Sequence, residues 1–225
     1  METTRTIVLI LHVIAGFIAL TVGFVPFVAK KGSKLHTTTG WVFCYAMLFV
    51  ALSAFGLAVY RFNPFLLMVG LFTLYTTVTG YRGLQFRRER ATIGQLRDWA
   101  LLVASGIALG FTIWQTLERF GTENVSVLVL IGFFALSLLN LLRQDGQLFS
   151  GRRKVEGKGW IRYHIVRISG AYLATITAFL VNNVHTDPAF VAWLLPTAVG
   201  VPAIVYFKRQ YGEKKAAKNS IPVVE

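Results

Sequence analysis

The chain is poor in what soluble proteins use to fold and to act. Of 225 residues only 15% are charged, and ten in all are Asp or Glu. An ordinary globular surface needs nearer a quarter. One cysteine, Cys44, excludes a disulfide framework, a CxxC redox pair and a cysteine-built zinc site. Aspartate and glutamate are missing from every long apolar stretch, which disfavours a proton or cation path built on carboxylate relays. A light-driven retinal protein is equally disfavoured, because the last apolar stretch contains no lysine. No aromatic interleaving or recognisable module accompanies the basic residues, so the net charge of +13 does not signal nucleic acid.

What remains is apolar: 55% of residues, with a mean hydropathy of +0.58. A bilayer core about 30 Å thick takes roughly 20 apolar residues per helix. Seven stretches qualify, at 6–29, 37–60, 64–81, 99–117, 125–142, 163–182 and 189–207. The first is too long for a signal-peptide core and reads as a retained helix. Asn63-Pro64 and Asp187-Pro188 each offer a capping side chain followed by proline at the first helical position. Pro196 and Pro202 should bend the seventh span, and Gly106 with Gly110 should give a close small-residue contact on the fourth. Trp41, Trp99 and Trp160 fall at one end of the spans, Trp114 and Trp193 at the other, in the pattern of an aromatic belt.

Loop charge sets the direction. Lys30, Lys31 and Lys34 follow span one; Arg82, Arg87, Arg88, Arg90 and Arg97 follow span three. Arg143, Arg152, Arg153, Lys154, Lys158 and Arg162 follow span five, and Lys208, Arg209, Lys214, Lys215 and Lys218 follow span seven. With Arg167, this side holds 20 basic residues against 6 acids; the other holds Arg5, Arg61 and Arg119 against 4 acids. The +13 therefore divides into +14 and −1, which places the N-terminus outside and the C-terminus in the cytoplasm. The expected fold is all-α: one polytopic membrane bundle of seven transmembrane helices over 1–211, with a flexible cytoplasmic tail over 212–225. Its basic face should meet anionic lipid headgroups on the cytoplasmic side.

Ionisable groups in or beside spans are costly and so are candidates for function. His12 lies in the outer third of span one, His36 and His164 open spans two and six at the cytoplasmic side, and His185 follows span six outside. His12 and His36 each precede a glycine by four residues, Gly16 and Gly40, one turn along the same face. That leaves room beside the imidazole for a flat ligand or for a neighbouring helix. On span six, His164, Arg167, Ala171, Ala174, Thr175, Ala178, Asn182 and His185 form one stripe that should face the bundle interior. Arg167 could snorkel to the surface or clamp a ligand.

Two imidazoles from different helices at one depth can ligate a b-type haem, with small residues making room and arginines neutralising propionates. His36 and His164, with Gly40, Arg82 and Arg167, fit that description, and His12 with His185 would be a weaker outer pair. A membrane electron-transfer role would follow. A zinc site from His36, His164 and Asp98 with an open position for water, as in a zinc-dependent membrane enzyme, is the competitor, although Asp98 better suits the N-cap of span four. A transporter or receptor for a small molecule, or a quinone ligand, stays open. The threonines of span three read as helix-to-helix hydrogen bonding. No catalytic set stands out.

Several phrases resemble a family of bacterial multi-pass membrane proteins described as domain of unknown function 2306. They are His12-x3-Gly16, Gly32-x2-Leu35-His36-x3-Gly40, Thr79-Gly80-Tyr81-Arg82, and Trp160-Ile161-x2-His164-Ile165-x4-Gly170-Ala171 running to Asn182. The resemblance implies a protein of the bacterial cytoplasmic (inner) membrane and marks His12, His36, Arg82 and His164 as matching positions. It implies no activity.

Overall fold

The computed structural model describes residues 2–60, 63–87, 93–121, 125–188 and 190–212. They form seven helices: α1 (Glu2–Val28), α2 (Lys34–Tyr60), α3 (Pro64–Gln85), α4 (Leu96–Phe120), α5 (Val125–Phe149), α6 (Gly159–Asn183) and α7 (Phe190–Gly212). All but α3 are long and apolar enough to cross a membrane. The outward faces are apolar along their length, as at Val13, Phe17, Ile107, Leu136 and Val199, each at least half exposed. In water such a surface would be an aggregation face; hydrocarbon is its natural solvent.

The exception, α3, is the centre of the bundle. It packs against α2, α4, α5 and α6, and its threonines Thr73, Thr76, Thr77 and Thr79 are buried. Thr76 and Thr79 both bond within their own helix, and Thr79 also pairs with Tyr163 on α6, the helix-to-helix contact that the sequence expectation describes. Their hydroxyls donate one turn back, to the Phe72 and Tyr75 carbonyls at 2.7 and 2.6 Å. Polar side chains satisfied within their own helix lower hydropathy without costing an unpaired group. Two apolar clusters flank this helix. Met68, Leu71, Leu109, Phe134 and Leu138 join α3, α4 and α5, and Ala19, Phe43, Met47 and Ala171 join α1, α2 and α6.

Close helix contact is made by glycines, though not by the pair expected from the sequence. A Cβ on Gly106 or Gly110 would meet nothing within 4 Å, and Gly110 is exposed. A Cβ on Gly80 would instead lie 2.8 Å from Ile168, and one on Gly83 2.6 Å from Tyr163. These two glycines let α3 lie directly on α6. Gly200 does the same for α7, where a Cβ would lie 2.6 Å from Leu173.

Asn63 caps α3 as its sequence suggests, accepting the Leu66 N–H at 3.1 Å with Pro64 at the first position. Asp187-Pro188 does not repeat the device. Helix α7 begins at Phe190, and Thr186 Oγ1 accepts the Ala192 N–H at 3.1 Å. Pro196 and Pro202 lie inside α7, which stays one helix, and Pro26 lies inside α1.

Candidate functional site

A polar layer at one end of the bundle

Antiparallel neighbours bring the ends of α1, α3, α5 and α7 and the starts of α2, α4 and α6 to a single end. Contacts tie them there. Trp41 stacks obliquely on Tyr81 at 4.7 Å, the Arg87 guanidinium lies over Trp160, and Lys31 Nζ lies 5.8 Å from both the Phe207 and Tyr211 rings. The last carbonyls of a helix have no partner within it. Lys31 answers those of α1, donating to the Pro26 and Phe27 carbonyls at 2.6 and 2.7 Å, a cation placed where the helix dipole favours one. Burial against the rings pushes its ammonium below the usual lysine range.

The deepest feature of this end is an acid the apolar stretches did not contain. Helix α5 runs past residue 142 to Phe149, so Asp145 lies within it and is fully buried. Three donors converge on its carboxylate. Arg167 Nη2 donates to Oδ1 at 2.7 Å, Tyr163 to Oδ1 at 2.9 Å and Tyr75 to Oδ2 at 2.5 Å. The guanidinium also lies over the Tyr163 ring, 4.9 Å from its centroid. Arg167 is 2% exposed, so it does not snorkel, and its Nη2 is held by Asp145. Its Nη1 and the Thr77 hydroxyl are buried without a partner among the described residues.

A second pair sits nearer the surface. Arg82 grips Asp98 through two bonds, Nε to Oδ1 at 2.9 Å and Nη2 to Oδ2 at 3.1 Å, and also donates to Gln85. Asp98 Oδ2 accepts the Gly94 and Gln95 N–H groups, each at 3.1 Å, which secures the start of α4. Both oxygens are thus occupied. No group of three or more His, Cys, Asp or Glu able to hold a metal occurs among the described residues, so Asp98 does not join His36 and His164 as a zinc set.

His36 and His164 share one local chemistry. His36 Nδ1 lies 3.1 Å from the Pro26 carbonyl, and His164 Nδ1 lies 2.9 Å from the Gly80 carbonyl. A carbonyl oxygen can only accept, so in each neutral ring Nδ1 carries the hydrogen and Nε2 keeps its lone pair. Gly40, one turn from His36, faces open space: a Cβ there would meet nothing within 4 Å. His12 Nδ1 bonds the Ser53 hydroxyl at 2.8 Å, close to the middle of α1 and away from His36 and His164, while His185 is exposed after α6. The α6 stripe faces inward from Arg167 to Ala174 and emerges at Asn182 and His185.

No family model matches the chain, and no curated protein or solved structure matches it significantly.

Proposed function

We propose that the chain is a seven-span protein of the bacterial cytoplasmic membrane, with its N-terminus outside and its C-terminus in the cytoplasm, and that His36 and His164 together hold a b-type haem for membrane electron transfer. The resemblance to domain of unknown function 2306 belongs to the same proposal. Support for a seventh span comes from the position of α3 inside a shell of α2, α4, α5 and α6, where threonines face protein and not lipid. Support for the orientation comes from the gathering of the basic loops at one end.

One observation carries the haem reading. Two imidazoles on different helices stand at the same end of the bundle, each with Nδ1 tied to a backbone carbonyl. A ligating histidine ordinarily has its second nitrogen tied in this way, which fixes the tautomer and turns the Nε2 lone pair toward the metal. Haem in such a site would supply one-electron chemistry, with its potential set by the two imidazoles and by burial. Propionate neutralisation would not fall to Arg82 or Arg167, because both already face carboxylates. The full chain purified from membranes should show a Soret band that His36→Ala and His164→Ala each abolish while leaving the fold intact by circular dichroism. A colourless, folded preparation that yields no haem on pyridine extraction would overturn the proposal.

A further inference from the structure

A cleft of about 470 Å³ opens beside the polar layer, between the segment leading into α4 and the loop from α5 to α6. Its floor is apolar: Ile93, Leu148, Phe149 and Val155. Its rim carries Arg153, Lys154 and Glu156, all exposed. No carboxylate pairs with Arg153 or Lys154 among the described residues.

The walls are fixed by backbone. Gly94 sits at φ +79°, and a Cβ there would lie 2.6 Å from the Phe149 carbonyl oxygen, so the two segments touch directly. Gly151 at φ +75° turns the chain out of α5, and the Arg153 N–H closes the turn on the Gln147 carbonyl at 2.9 Å. Val155 is held against Gly159, whose Cβ would approach it to 3.2 Å. Depth is marked by Trp99, which meets Phe149 edge to face at 5.8 Å; tryptophan favours the headgroup level.

We propose that this cleft binds the headgroup of an anionic phospholipid. Arg153 and Lys154 hold the phosphate, Glu156 accepts from a headgroup hydroxyl, and the apolar floor receives the first acyl carbons. Basic pockets at the cytoplasmic ends of membrane helices take anionic headgroups for this reason. The inference rests on the membrane placement proposed above and is independent of the histidine pair. Failure of the membrane placement would show as release of the protein by carbonate washing, which lipid selectivity does not affect.

The test is titration of fluorescent phosphatidylglycerol into the full-length protein in neutral detergent micelles, against phosphatidylcholine. Saturable binding selective for phosphatidylglycerol is expected, weakened about thirtyfold by R153Q/K154Q, from roughly 1 kcal/mol per basic residue at the surface. The same charge change on the same face at K208Q/R209Q should alter it less than twofold. Equal loss in both double variants, or a loss below threefold in R153Q/K154Q, would overturn the proposal. So would displacement of the lipid by millimolar inorganic phosphate, which would assign the cleft to the free anion. Because both side chains are exposed, the melting temperature of R153Q/K154Q should match that of the unsubstituted chain.

Discussion

Asp145→Asn changes one atom and removes the charge on which the end of the bundle converges. The amide keeps the shape of the carboxylate, so the packing of α5 against α3 and α6 is preserved. Arg167, 2% exposed, is left as a buried cation with no anion. Breaking one side of a buried pair in this way costs about 3–5 kcal/mol, because the surviving charge stays desolvated. Arg167→Met should cost a similar amount, with Asp145 stranded between two tyrosines. The double variant Asp145→Leu/Arg167→Met should recover most of the loss, since replacing a buried pair by apolar side chains is often neutral. The coupling between the two positions should therefore be about 3 kcal/mol or more. Reversible unfolding of the full chain in mixed sodium dodecyl sulfate micelles, followed by tryptophan fluorescence, measures all three variants. Single-variant losses below about 1 kcal/mol, the range of exposed pairs, with additivity within about 0.5 kcal/mol, would refute the reasoning.

Asp98→Asn should destabilise through the loss of the two-bond grip of Arg82, and Asp98→Ala by about 1 kcal/mol more, because it also frees the Gly94 and Gln95 N–H groups; the same unfolding assay separates them. Gly94→Ala should lower stability by more than 1 kcal/mol, on the order expected for a Cβ at positive φ, because that Cβ would also strike the Phe149 backbone. Gly110→Ala, which would meet nothing, should be neutral or slightly stabilising in the same unfolding assay, which also measures Gly94→Ala. In a Cys44→Ala background, a membrane-impermeant maleimide should label Thr4→Cys and His185→Cys in intact cells but label Arg152→Cys only after lysis. The reverse pattern would overturn the orientation.

The apolar stretches locate all seven helices, although only six of these are long and apolar enough to cross a membrane among the described residues. Their ends were less visible. Stretch 125–142 stops where Arg143, Gln144 and Asp145 enter, whereas α5 continues to Phe149. Hydropathy counts such residues as loop, yet a helix can carry a carboxylate inward when another helix brings a cation to it. Asp145 and Arg167 are 22 residues apart, and nothing local marks them as partners. A search for one unpaired acid at the depth of the inward-facing Arg167 would have found Asp145 alone on α5. The glycines mislead for a related reason. Gly106 and Gly110 have the spacing of a close contact, but contact needs a neighbour, and α6 meets Gly80 and Gly83 instead. Asn63-Pro64 and Asp187-Pro188 look alike in sequence, and only the first sits at a helix start. For the histidines, the sequence grouped His36 and His164 by depth. It could not show that a backbone carbonyl holds each ring, since Pro26 and Gly80 are named by no side-chain pattern.

The central claim is that two imidazoles, His36 and His164, ligate one haem iron. Low-temperature electron paramagnetic resonance of the oxidised full-length protein addresses it directly, because two axial imidazoles make ferric haem low-spin. A low-spin signal is predicted, converting to high-spin or vanishing in His36→Ala and in His164→Ala. A high-spin signal in the unsubstituted protein, or a low-spin signal that survives both substitutions, would contradict it.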